Sequence, residues 1–525
     1  LAMNLMTVIN DSMFRWLVVP IAKYRATEGL PAEQVAGRES LILGLGLGCF
    51  IMPFVVFSPW SGWLADRFSK RRVTIALKAA EFVIMIAGLI AISFGNLTLM
   101  FVVLFLMGTQ SALLTTTKFG IIPELVPGSQ LSAANGLAGC VTLIGVIVGT
   151  VAGNGLYSLT GSDGTSQLWI SAVVLLSVAA LGFLASFPID RVTACNPAMA
   201  FPVNLVRHSI RDMRLVIENR AIRRVTFGVV FFWSLASLSQ MNIDTFVNNE
   251  LGMSQKEVGP FLAVLSLGVG LGSILAGWWS GGRVELGMVP LGTLAMTAAS
   301  ILAYFSSDSS VLFGMSLFLI GLGGGLFNVP LNAFIQERSP HGSLGAILAA
   351  GNQLIAFGMI LMAVLFPFLQ NQLSMSSNEV FLLAGIGTLP ILIYACWLIP
   401  QATIRFIVWL ISRTMYRVRT YGDENIPEQG PALLVANHVT WMDGILVLLA
   451  SSRPIRMLAW ADYVKGPVLR RLSNLFGIIP IKSSDGPRAL LNSLNTARDA
   501  LNNGEIVCIF AEGQITRTGQ LLKFE

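Results

Sequence analysis

Charged residues are scarce in this 525-residue sequence. Asp, Glu, Lys and Arg make up 12% of it, whereas soluble globular proteins contain about 25%. Hydrophobic residues make up 54%, and the mean hydropathy is +0.71. This composition excludes a chain built only of soluble domains. It also excludes an intrinsically disordered chain, because disorder requires low hydrophobicity.

Histidine and cysteine are also rare. Only three His and five Cys occur, and the cysteines form no CxxC pair and no spacing typical of a metal site. We interpret the cysteines as small apolar side chains, and we expect neither a metal site nor a bound cofactor. The sequence starts in apolar residues without a basic stretch. We therefore expect no signal peptide and a chain that begins inside its first helix.

The charge that is present is unevenly distributed. Residues 1–400 contain 38 charged residues and residues 401–525 contain 24, which predicts a membrane domain followed by a more polar domain. A spanning helix needs about 20 mostly apolar residues. Twelve segments meet this requirement: 1–22, 41–64, 73–95, 98–118, 131–158, 166–187, 223–247, 258–280, 286–306, 310–335, 343–370 and 378–400.

Two basic loops predict the orientation of these segments. The long loop 188–222 and the loop 66–72 lie on the same side of the membrane by parity. Because positively charged loops are retained in the cytoplasm, that side is predicted to be cytoplasmic. With twelve spans, both ends of the membrane domain face the same side.

The loop after the second segment contains Gly62, Asp66, Arg67 and Arg71 in a defined spacing. A small Gly lets two helices approach closely, and the Asp can pair with basic groups and a helix terminus, which would latch one conformation. The spacing resembles the GxxxDRxxxRR loop of the major facilitator superfamily. This resemblance implies that the four residues form a conformational latch.

Six segments, a basic loop and six more segments also resemble that superfamily. The resemblance implies an α-helical membrane fold with a six-helix half at 1–187, a basic linker at 188–222 and a second six-helix half at 223–400. Helices 1 and 7 of such halves face one central cavity. The second half has a degenerate copy of the loop in which Gly281 replaces the Asp, so we expect no latch there.

Charged residues inside predicted spans are candidate transport residues, because charge in a bilayer is costly and usually faces a cavity or a partner. Asp11 and Arg15 lie one helical turn apart. They either neutralise each other or contact the headgroup of a zwitterionic lipid. Asp244, in the seventh segment, is a further candidate. Lys78 and Glu81 are interpreted as a structural pair.

Four further charges lie near the predicted cytoplasmic ends of the spans. These residues are Lys118, Glu124, Glu337 and Arg338. A gating ion pair and simple solvation are both open for each of them.

Several stretches of the membrane part are similar to bacterial lysophospholipid transporters. They are 118–125 (KFGIIPEL), 134–137 (ANGL), 328–333 (NVPLNA) and 336–338 (QER), together with Asn10-Asp11. The similarity implies that the membrane domain transports a lysophospholipid and that it lies in a bacterial inner membrane.

Residues 401–420 combine an apolar cluster with flanking arginines. Such a composition predicts an amphipathic helix that lies at the membrane surface. The arginines disfavour a thirteenth span.

An apolar stretch at 431–436 leads into Asn437, His438 and, five residues later, Asp443. A hydroxyl that attacks a thioester must lose its proton, and a neutral imidazole is the usual acceptor. A nearby carboxylate can orient the ring and stabilise the imidazolium. The pattern resembles the NHxxxxD motif of the glycerolipid acyltransferases. The resemblance implies that His438 is the general base, with Asp443 as its orienting carboxylate and Asn437 at the substrate site.

Two later stretches resemble further blocks of the same acyltransferases. Residues 476–482 (FGIIPIK) place Lys482 where the family has a basic residue for the acceptor phosphate. Residues 510–519 (FAEGQITRTG) resemble the EGxxxxxG block. This similarity implies that Glu512, Gly513 and Arg517 shape the acceptor site. Four other arginines are interpreted as groups that attract the membrane surface: Arg453, Arg456, Arg470 and Arg471.

The block that begins at Glu512 is similar to the bifunctional 2-acylglycerophosphoethanolamine acyltransferase/acyl-carrier-protein synthetase family. We therefore expect an α/β acyltransferase domain at 421–525, incomplete at Glu525, which uses acyl carrier protein or coenzyme A thioesters. The expected function is lysophospholipid transport coupled to re-acylation. Two alternatives are a solute or drug antiporter fused to a 1-acylglycerol-3-phosphate acyltransferase, and an inactive acyltransferase domain that serves as a membrane anchor. No nucleic acid partner is expected.

Overall fold

A computed structural model describes the chain except residues 30–31, 162–165, 191, 202, 254, 281–283, 341, 417, 423–424, 428, 452, 482–485, 517–519 and 521–525. It divides into two compact units, Leu1–Ile393 and Tyr394–Glu525.

Unit 1 is built from apolar helices, because long runs of hydrophobic residues leave the backbone no other way to satisfy its hydrogen bonds in lipid. In the described part of the chain, ten helices are long and apolar enough to cross a membrane, and two shorter ones are apolar as well. Each of the twelve predicted segments overlaps one of these helices, with ends that differ by up to three residues where the segment extends beyond the helix: α1 Ala2–Thr27, α2 Ala32–Arg67, α3 Lys70–Ser93, α4 Leu97–Gly120, α6 Leu131–Thr160, α7 Leu168–Leu184, α9 Arg220–Asn249, α10 Gln255–Trp279, α11 Met288–Tyr304, α12 Ser310–Arg338, α13 Leu344–Asn371 and α14 Ser377–Leu398.

Two shorter helices belong to connecting segments. Helix α5, Ile122–Leu125, lies in the turn between α4 and α6. Helix α8, Leu205–Glu218, lies in the linker between the two halves, and it begins at Asn204, whose side chain accepts a hydrogen bond from the backbone N–H of Arg207. We call the end of the bundle that carries the α2–α3, α4–α6 and α7–α9 connections the basic end.

The halves pack through α6 against α10 and through α2 against α13. Small residues permit this approach. A Cβ added at Gly136 of α6 would lie 2.4 Å from the carbonyl oxygen of Ser273 in α10, so only glycine fits at this contact.

Unit 2 begins in the last turns of α14 and continues into α15, Pro400–Met415. A parallel four-stranded sheet follows, with the order β1-β4-β2-β3. Its strands are β1 Ala432–Ala436, β2 Ile455–Trp460, β3 Ile479–Ile481 and β4 Ile506–Phe510. Its helices are α16 Asp443–Ala450, α17 Pro467–Phe476 and α18 Pro487–Asn502. Helix α15 covers part of the segment predicted to be amphipathic.

Right-handed crossovers place α16 and α17 on one face of the sheet and α18 on the other. The buried residues fall into two clusters that match these faces. Ile455, Met457 and Cys508 pack near α16, whereas Ile479 and Val507 pack against α18.

Candidate functional site

The two adjacent strands β1 and β4 run parallel, with Ala436 opposite Phe510. Their carboxyl ends therefore open at the same edge of the sheet, where ligands of α/β sheets usually bind. His438 follows β1 and Glu512 follows β4. The fold thus brings together two sequence blocks that are 74 residues apart.

His438 and Asp443 form the predicted pair. The Nδ1 atom of His438 lies 3.0 Å from Oδ2 of Asp443, and both side chains are partly exposed. Asp443 also accepts hydrogen bonds from the backbone N–H groups of Val439 and Thr440 and from the Thr440 hydroxyl, at 2.6, 2.8 and 2.9 Å. The carboxylate therefore fixes both the imidazole ring and the turn that carries it.

These hydrogen bonds set the charge state of Asp443. Partial burial by itself raises the pKa of a carboxyl group, but the hydrogen bonds from Thr440, His438 and Val439 outweigh it, and the pKa of Asp443 lies below its ordinary value. The carboxylate is therefore ionised at neutral pH and can stabilise an imidazolium.

Glu512 has a different position from the one that the sequence block implies. Its side chain is 1% exposed, and its Oε1 accepts a hydrogen bond from the backbone N–H of His438, at 3.2 Å. The backbone N–H of Thr516 donates to the His438 carbonyl at 2.8 Å. A group buried in this way holds the loop that carries His438. We therefore assign Glu512 as a positioning residue rather than a surface contact for the acceptor.

Phe510 is a neighbour that the sequence analysis did not single out. Its ring stacks on the His438 imidazole, with centroids 4.4 Å apart and an interplanar angle of 23°. Phe510 is the last residue of β4 and the first residue of the stretch 510–519, and that position was the available signal. Cys508 of the same strand is buried, and burial raises the pKa of its thiol to about 11, so it is unsuited to act as a nucleophile.

The other residues predicted for the acceptor site differ in what the structure shows of them. Asn437, the residue before His438, is exposed. Gly513 has φ +63°, a left-handed conformation that favours glycine, and its N–H donates to the Phe510 carbonyl at 3.0 Å. Lys482 and Arg517 lie outside the described residues.

Two arginines that we interpreted as membrane-surface groups instead hold the fold together, and that interpretation is wrong for them. Arg453 donates to the carbonyl oxygens of Pro427, Gly430 and Gly504 at 2.6 to 2.8 Å. Arg456 donates to the Gly477 carbonyl. It also forms a salt bridge of 3.1 Å with Glu505, the residue before β4. Loop carbonyls need such donors, and the sequence pattern gave no sign of them.

The predicted latch residue Asp66 caps a helix of the opposite half. Its carboxylate is buried and accepts hydrogen bonds from the backbone N–H groups of Gly345, at 3.0 Å, and Ala346, at 3.2 Å. Both amides belong to the first turn of α13, where the helix dipole favours negative charge. Gly62, one turn earlier, packs against Gly345 and Ala349.

The basic members of the same motif bind the chain that follows α7. Arg67 donates to the Met199 carbonyl, and its guanidinium lies 5.6 Å from the ring centroid of Trp63. Arg71 donates to the carbonyl of Phe187 at 2.8 Å. The motif thus ties the linker to the basic end.

A pair of neutral side chains also joins the halves at the basic end. Asn135 of α6 and Gln336 of α12 exchange two hydrogen bonds, at 2.7 and 3.1 Å, and both are buried. The two residues lie in the stretches 134–137 and 336–338, which the sequence analysis singled out only for their similarity to lysophospholipid transporters.

Asp11 and Arg15 do not form the ion pair that their spacing allows. Among the described residues, no salt bridge within 4 Å joins them, and Asp11 Oδ2 instead accepts a hydrogen bond from Ser111 Oγ of α4, at 2.7 Å. The other carboxylate oxygen of Asp11 is buried without a hydrogen-bond partner in the described structure. Helix packing turned the carboxylate toward α4, and this leaves an acceptor available.

Lys78 and Glu81 form the predicted structural pair. Their side chains lie 2.6 Å apart and are almost fully buried. Glu81 also accepts hydrogen bonds from Asn10 and Gln110, and Lys78 donates to Thr7. The pair links α1, α3 and α4.

The charges near span ends fall into different environments. Glu124 pairs with Lys70 of α3, within one half, and also accepts from the Cys195 thiol. Glu337 lies 3.8 Å from Arg338, and both are exposed. Lys118 lies 5.1 Å from the ring centroid of Phe119. Asp244 belongs to α9, but its side chain lies outside the described part of the structure.

Comparison with known families identifies the membrane part. The profile of the Major Facilitator Superfamily matches residues 5–363, which is more than half of the chain. The chain belongs to the Major Facilitator Superfamily. A second profile, described as Acyltransferase, matches residues 417–525.

Solved structures of the Major Facilitator Superfamily share this fold at low sequence identity. The transporter FucP in its outward conformation superposes with a TM-score of 0.57 at 14% identity, covering 75% of this chain and 98% of that one. The human organic anion transporter MFSD10 gives 0.59 at 13% identity, with 75% and 97% covered. The predicted major facilitator fold is confirmed, with a multi-pass membrane domain and an acyltransferase domain after it.

Yersinia proteins are among the curated relatives of this superfamily member. The lysophospholipid transporter LplT of Yersinia pestis (strain Pestoides F) is 28% identical over 300 residues, which are 57% of this chain and 70% of that protein. The protein of the same name from Yersinia pseudotuberculosis serotype IB (strain PB1/+) shows the same values. The resemblance of the membrane part to these transporters is thus confirmed.

Proposed function

We propose that this protein moves a lysophospholipid across a bacterial inner membrane and re-acylates its free hydroxyl from an acyl thioester. The observation that carries the acylation step is the contact of 3.0 Å between His438 and Asp443 at the carboxyl end of β1. The similarity to lysophospholipid transporters supports the transport step. The acyltransferase domain and the linker are proposed to lie in the cytoplasm.

The proposed reaction needs no protein nucleophile. The substrate hydroxyl oxygen attacks the thioester carbonyl carbon while its proton moves to Nε2 of His438. Asp443 keeps the other ring proton on Nδ1 and stabilises the imidazolium. When the tetrahedral intermediate collapses, the C–S bond breaks and the leaving thiolate takes the proton from His438. One ester and one thiol are formed, and the imidazole returns to its neutral state.

The groups around His438 define the proposed acceptor site. Asn437 is exposed beside the base and is proposed to hydrogen-bond the glycerol backbone. Lys482 and Arg517 are proposed to bind the acceptor phosphate, as in the family that their blocks resemble. Gly513 allows the backbone to approach the substrate. The acyl donor is proposed to be acyl carrier protein or coenzyme A, each of which delivers a thioester.

The charges of the first half suit a zwitterionic headgroup. Asp11 offers a buried carboxylate oxygen for an ammonium group. Arg15 and Lys118 are proposed to meet the phosphate. Asp244, Glu124 and Glu337 are proposed to contribute to transport through the pathway or its gating.

An apolar cleft lies at the contact between α6 and α10. It is lined by Ala133, Leu137, Ile274, Gly277 and Trp278, has a volume of about 300 Å³ and opens at the surface of the bundle. Leu137, Ile274 and Trp278 are exposed, as side chains that face lipid are. The cleft therefore does not separate a lipid substrate from the drug-antiporter alternative, which requires a closed polar pocket.

The test uses sealed vesicles that contain the full chain, with labelled lysophosphatidylethanolamine added outside and acyl donor enclosed. We expect labelled diacyl product to form inside. His438→Ala is expected to abolish the product but to leave uptake of the label unchanged, whereas Asp11→Asn is expected to reduce uptake. Lysophosphatidic acid and a small cationic drug serve as competing substrates.

Two results would contradict the proposal. If His438→Ala forms product at the wild-type rate, the catalytic assignment is wrong. If the vesicles take up the drug but not the labelled lipid, the transport assignment is wrong and the antiporter alternative replaces it.

A further inference from the structure

Phe510 covers one face of the His438 imidazole. The two ring planes are inclined by 23°, and their centroids lie 4.4 Å apart. This stacked arrangement is well within the distance of about 6 Å at which a cation is attracted to an aromatic face. The proposed reaction gives His438 a positive charge in every catalytic cycle, yet it assigns no role to the phenyl ring beside it.

The register of the sheet explains why the two rings meet. Phe510 lies opposite Ala436 at the ends of the parallel strands β4 and β1. The backbone N–H of Ala511 donates to the Ala436 carbonyl at 3.2 Å and extends this register by one residue. His438 follows Ala436 by two residues, the spacing at which side chains of an extended chain share a face. Because the Ala436 side chain ends at Cβ, the phenyl ring can extend past it to the imidazole.

Filling the core does not by itself require an aromatic residue at this position. Ile506, Cys508 and Phe510 alternate along β4 and belong to the same apolar cluster. The first two are fully buried, whereas Phe510 is only partly buried. An aliphatic side chain would fill this last position as well. A phenyl ring also offers a face of negative electrostatic potential, and this property matters most for a partner that becomes cationic.

The contacts of His438 leave one part of its ring for the substrate. Asp443 binds the ring edge at Nδ1, 3.0 Å away, and Phe510 covers one face. Within the described residues, the ionisable side chains in contact with His438 are Asp443, at the ring, and Glu512, at the backbone N–H. Nε2 and the second face of the ring are therefore the parts that a substrate hydroxyl can approach.

We propose that Phe510 is a positioning residue of the acyl-transfer site, which orients the His438 imidazole and stabilises its protonated form. This role rests on the proposed function and deepens it, because it names the group that adjusts the basicity of Nε2. No bond forms or breaks at Phe510. The proton leaves the substrate hydroxyl for Nε2, and the phenyl face attracts the imidazolium until that proton passes to the leaving thiolate.

The first test changes the charge distribution of the phenyl ring and hardly changes its shape. A trifluorinated phenylalanine replaces Phe510 in the full chain, because fluorine withdraws electron density from the ring face. In the matched control it replaces Phe406, whose ring stacks on Trp409 with centroids 5.6 Å apart, a partner that carries no charge. Thioester-dependent acylation is measured against pH for both variants.

The expected change has a defined sign. When the phenyl face is weakened, the imidazolium is less stable, so the acidic limb of the kcat/KM profile should move to lower pH by about 0.3 to 0.7 units. The plateau value of kcat should fall about two- to fivefold, because the same imidazolium forms in the transition state. We expect neither change when the fluorinated residue is at position 406. A loss of packing alone would lower kcat without moving the limb.

A second measurement does not depend on activity. The chain contains three histidines, so carbon-13-labelled histidine gives few ring signals in an NMR titration, and the signal that is missing in His438→Gln identifies His438. We expect the midpoint of its titration to fall by the same amount with the fluorinated residue at position 510. Phe510→Leu should lower the midpoint as well, and Phe510→Tyr, which keeps an aromatic face, should restore it.

Unchanged midpoints in the fluorinated and Leu variants of Phe510 would overturn the proposal and leave this residue as a part of the core. An equal shift with the fluorinated residue at position 406 would also overturn it. Failure of the proposed function looks different: His438→Ala would then acylate at the wild-type rate, while the midpoint of His438 still responds to Phe510 and supports the interaction of the two rings.

Discussion

The buried carboxylate of Glu512 accepts a hydrogen bond from the backbone N–H of His438, 3.2 Å away. The same loop receives a second bond, because the N–H of Thr516 donates to the carbonyl of His438. The segment after β4 therefore hydrogen-bonds both the backbone N–H and the backbone carbonyl of His438, the proposed base. Its role in the site is to hold the imidazole in place.

Replacing Glu512 tests this role through its separate effects on kcat and KM. Glu512→Ala removes an acceptor of charge-assisted hydrogen bonds, which is worth about 1.5–3 kcal/mol. We expect kcat to fall roughly 10- to 100-fold with little change in KM for the lysophospholipid. Glu512→Gln keeps an acceptor oxygen and should recover much of the loss. An increase in KM at constant kcat would instead indicate direct substrate binding.

Asp443 predicts a particular pH dependence of stability. Its folded-state pKa lies below the ordinary value of about 3.9. Its stabilising effect is therefore complete above that value and is lost as the pH falls through the lower pKa of the folded state. We expect Asp443→Asn to lower the melting temperature of the acyltransferase domain by the same amount from pH 5 to 8. The difference from wild type should shrink below about pH 4. A difference that already disappears near pH 6 would be inconsistent with a lowered pKa.

Gly136 and Gly155 form a matched pair on α6. A Cβ at Gly136 would meet the Ser273 carbonyl at 2.4 Å, whereas a Cβ at Gly155 would have nothing within 4 Å. Gly136→Ala should therefore push α6 and α10 apart at the basic end. Gly155→Ala should be neutral or stabilise the helix by up to about 1 kcal/mol. Spin labels at Leu125 and Glu337, with the native cysteines replaced, should show a longer distance only in Gly136→Ala.

The Lys78–Glu81 pair predicts an asymmetry between single and double substitutions. Lys78→Met leaves Glu81 buried without its cation and should cost about 3–5 kcal/mol of stability. Adding Glu81→Gln removes the isolated charge and keeps one acceptor oxygen for Asn10 or Gln110. The double variant should therefore recover most of the loss in thermal unfolding measured in detergent. If the double variant is less stable than the single one, the pair is not a compensated ion pair.

The sequence was sufficient wherever a local pattern determines a local structure. The twelve apolar runs became helices because lipid leaves the backbone no alternative. His438 and Asp443 meet because five residues form a tight turn that the carboxylate itself caps. Asp66 reaches a helix terminus, as the loop motif implied.

The contacts that could not be predicted from the sequence depend on packing between segments that are distant in the chain. Asp11 turns to Ser111, one hundred residues away, although Arg15 is its neighbour on the helix. Arg453 donates hydrogen bonds to three loop carbonyls, and a count of surface charges cannot reveal such partners. Glu512 lies under the His438 loop only because β4 is inserted between β1 and β2 in the sheet.

Only Ile399 lies between α14 and α15, so the chain joins the membrane domain directly to the acyltransferase domain. This covalent link fixes the molar ratio of the two domains. A transporter and an acyltransferase joined in this way are made in equal numbers and diffuse through the bilayer as one particle. Under the proposed function, a lipid released by one domain meets the other at a local concentration set by the tether and not by how much enzyme the cell makes. Expression level can then change the number of such particles but not the ratio of the two activities.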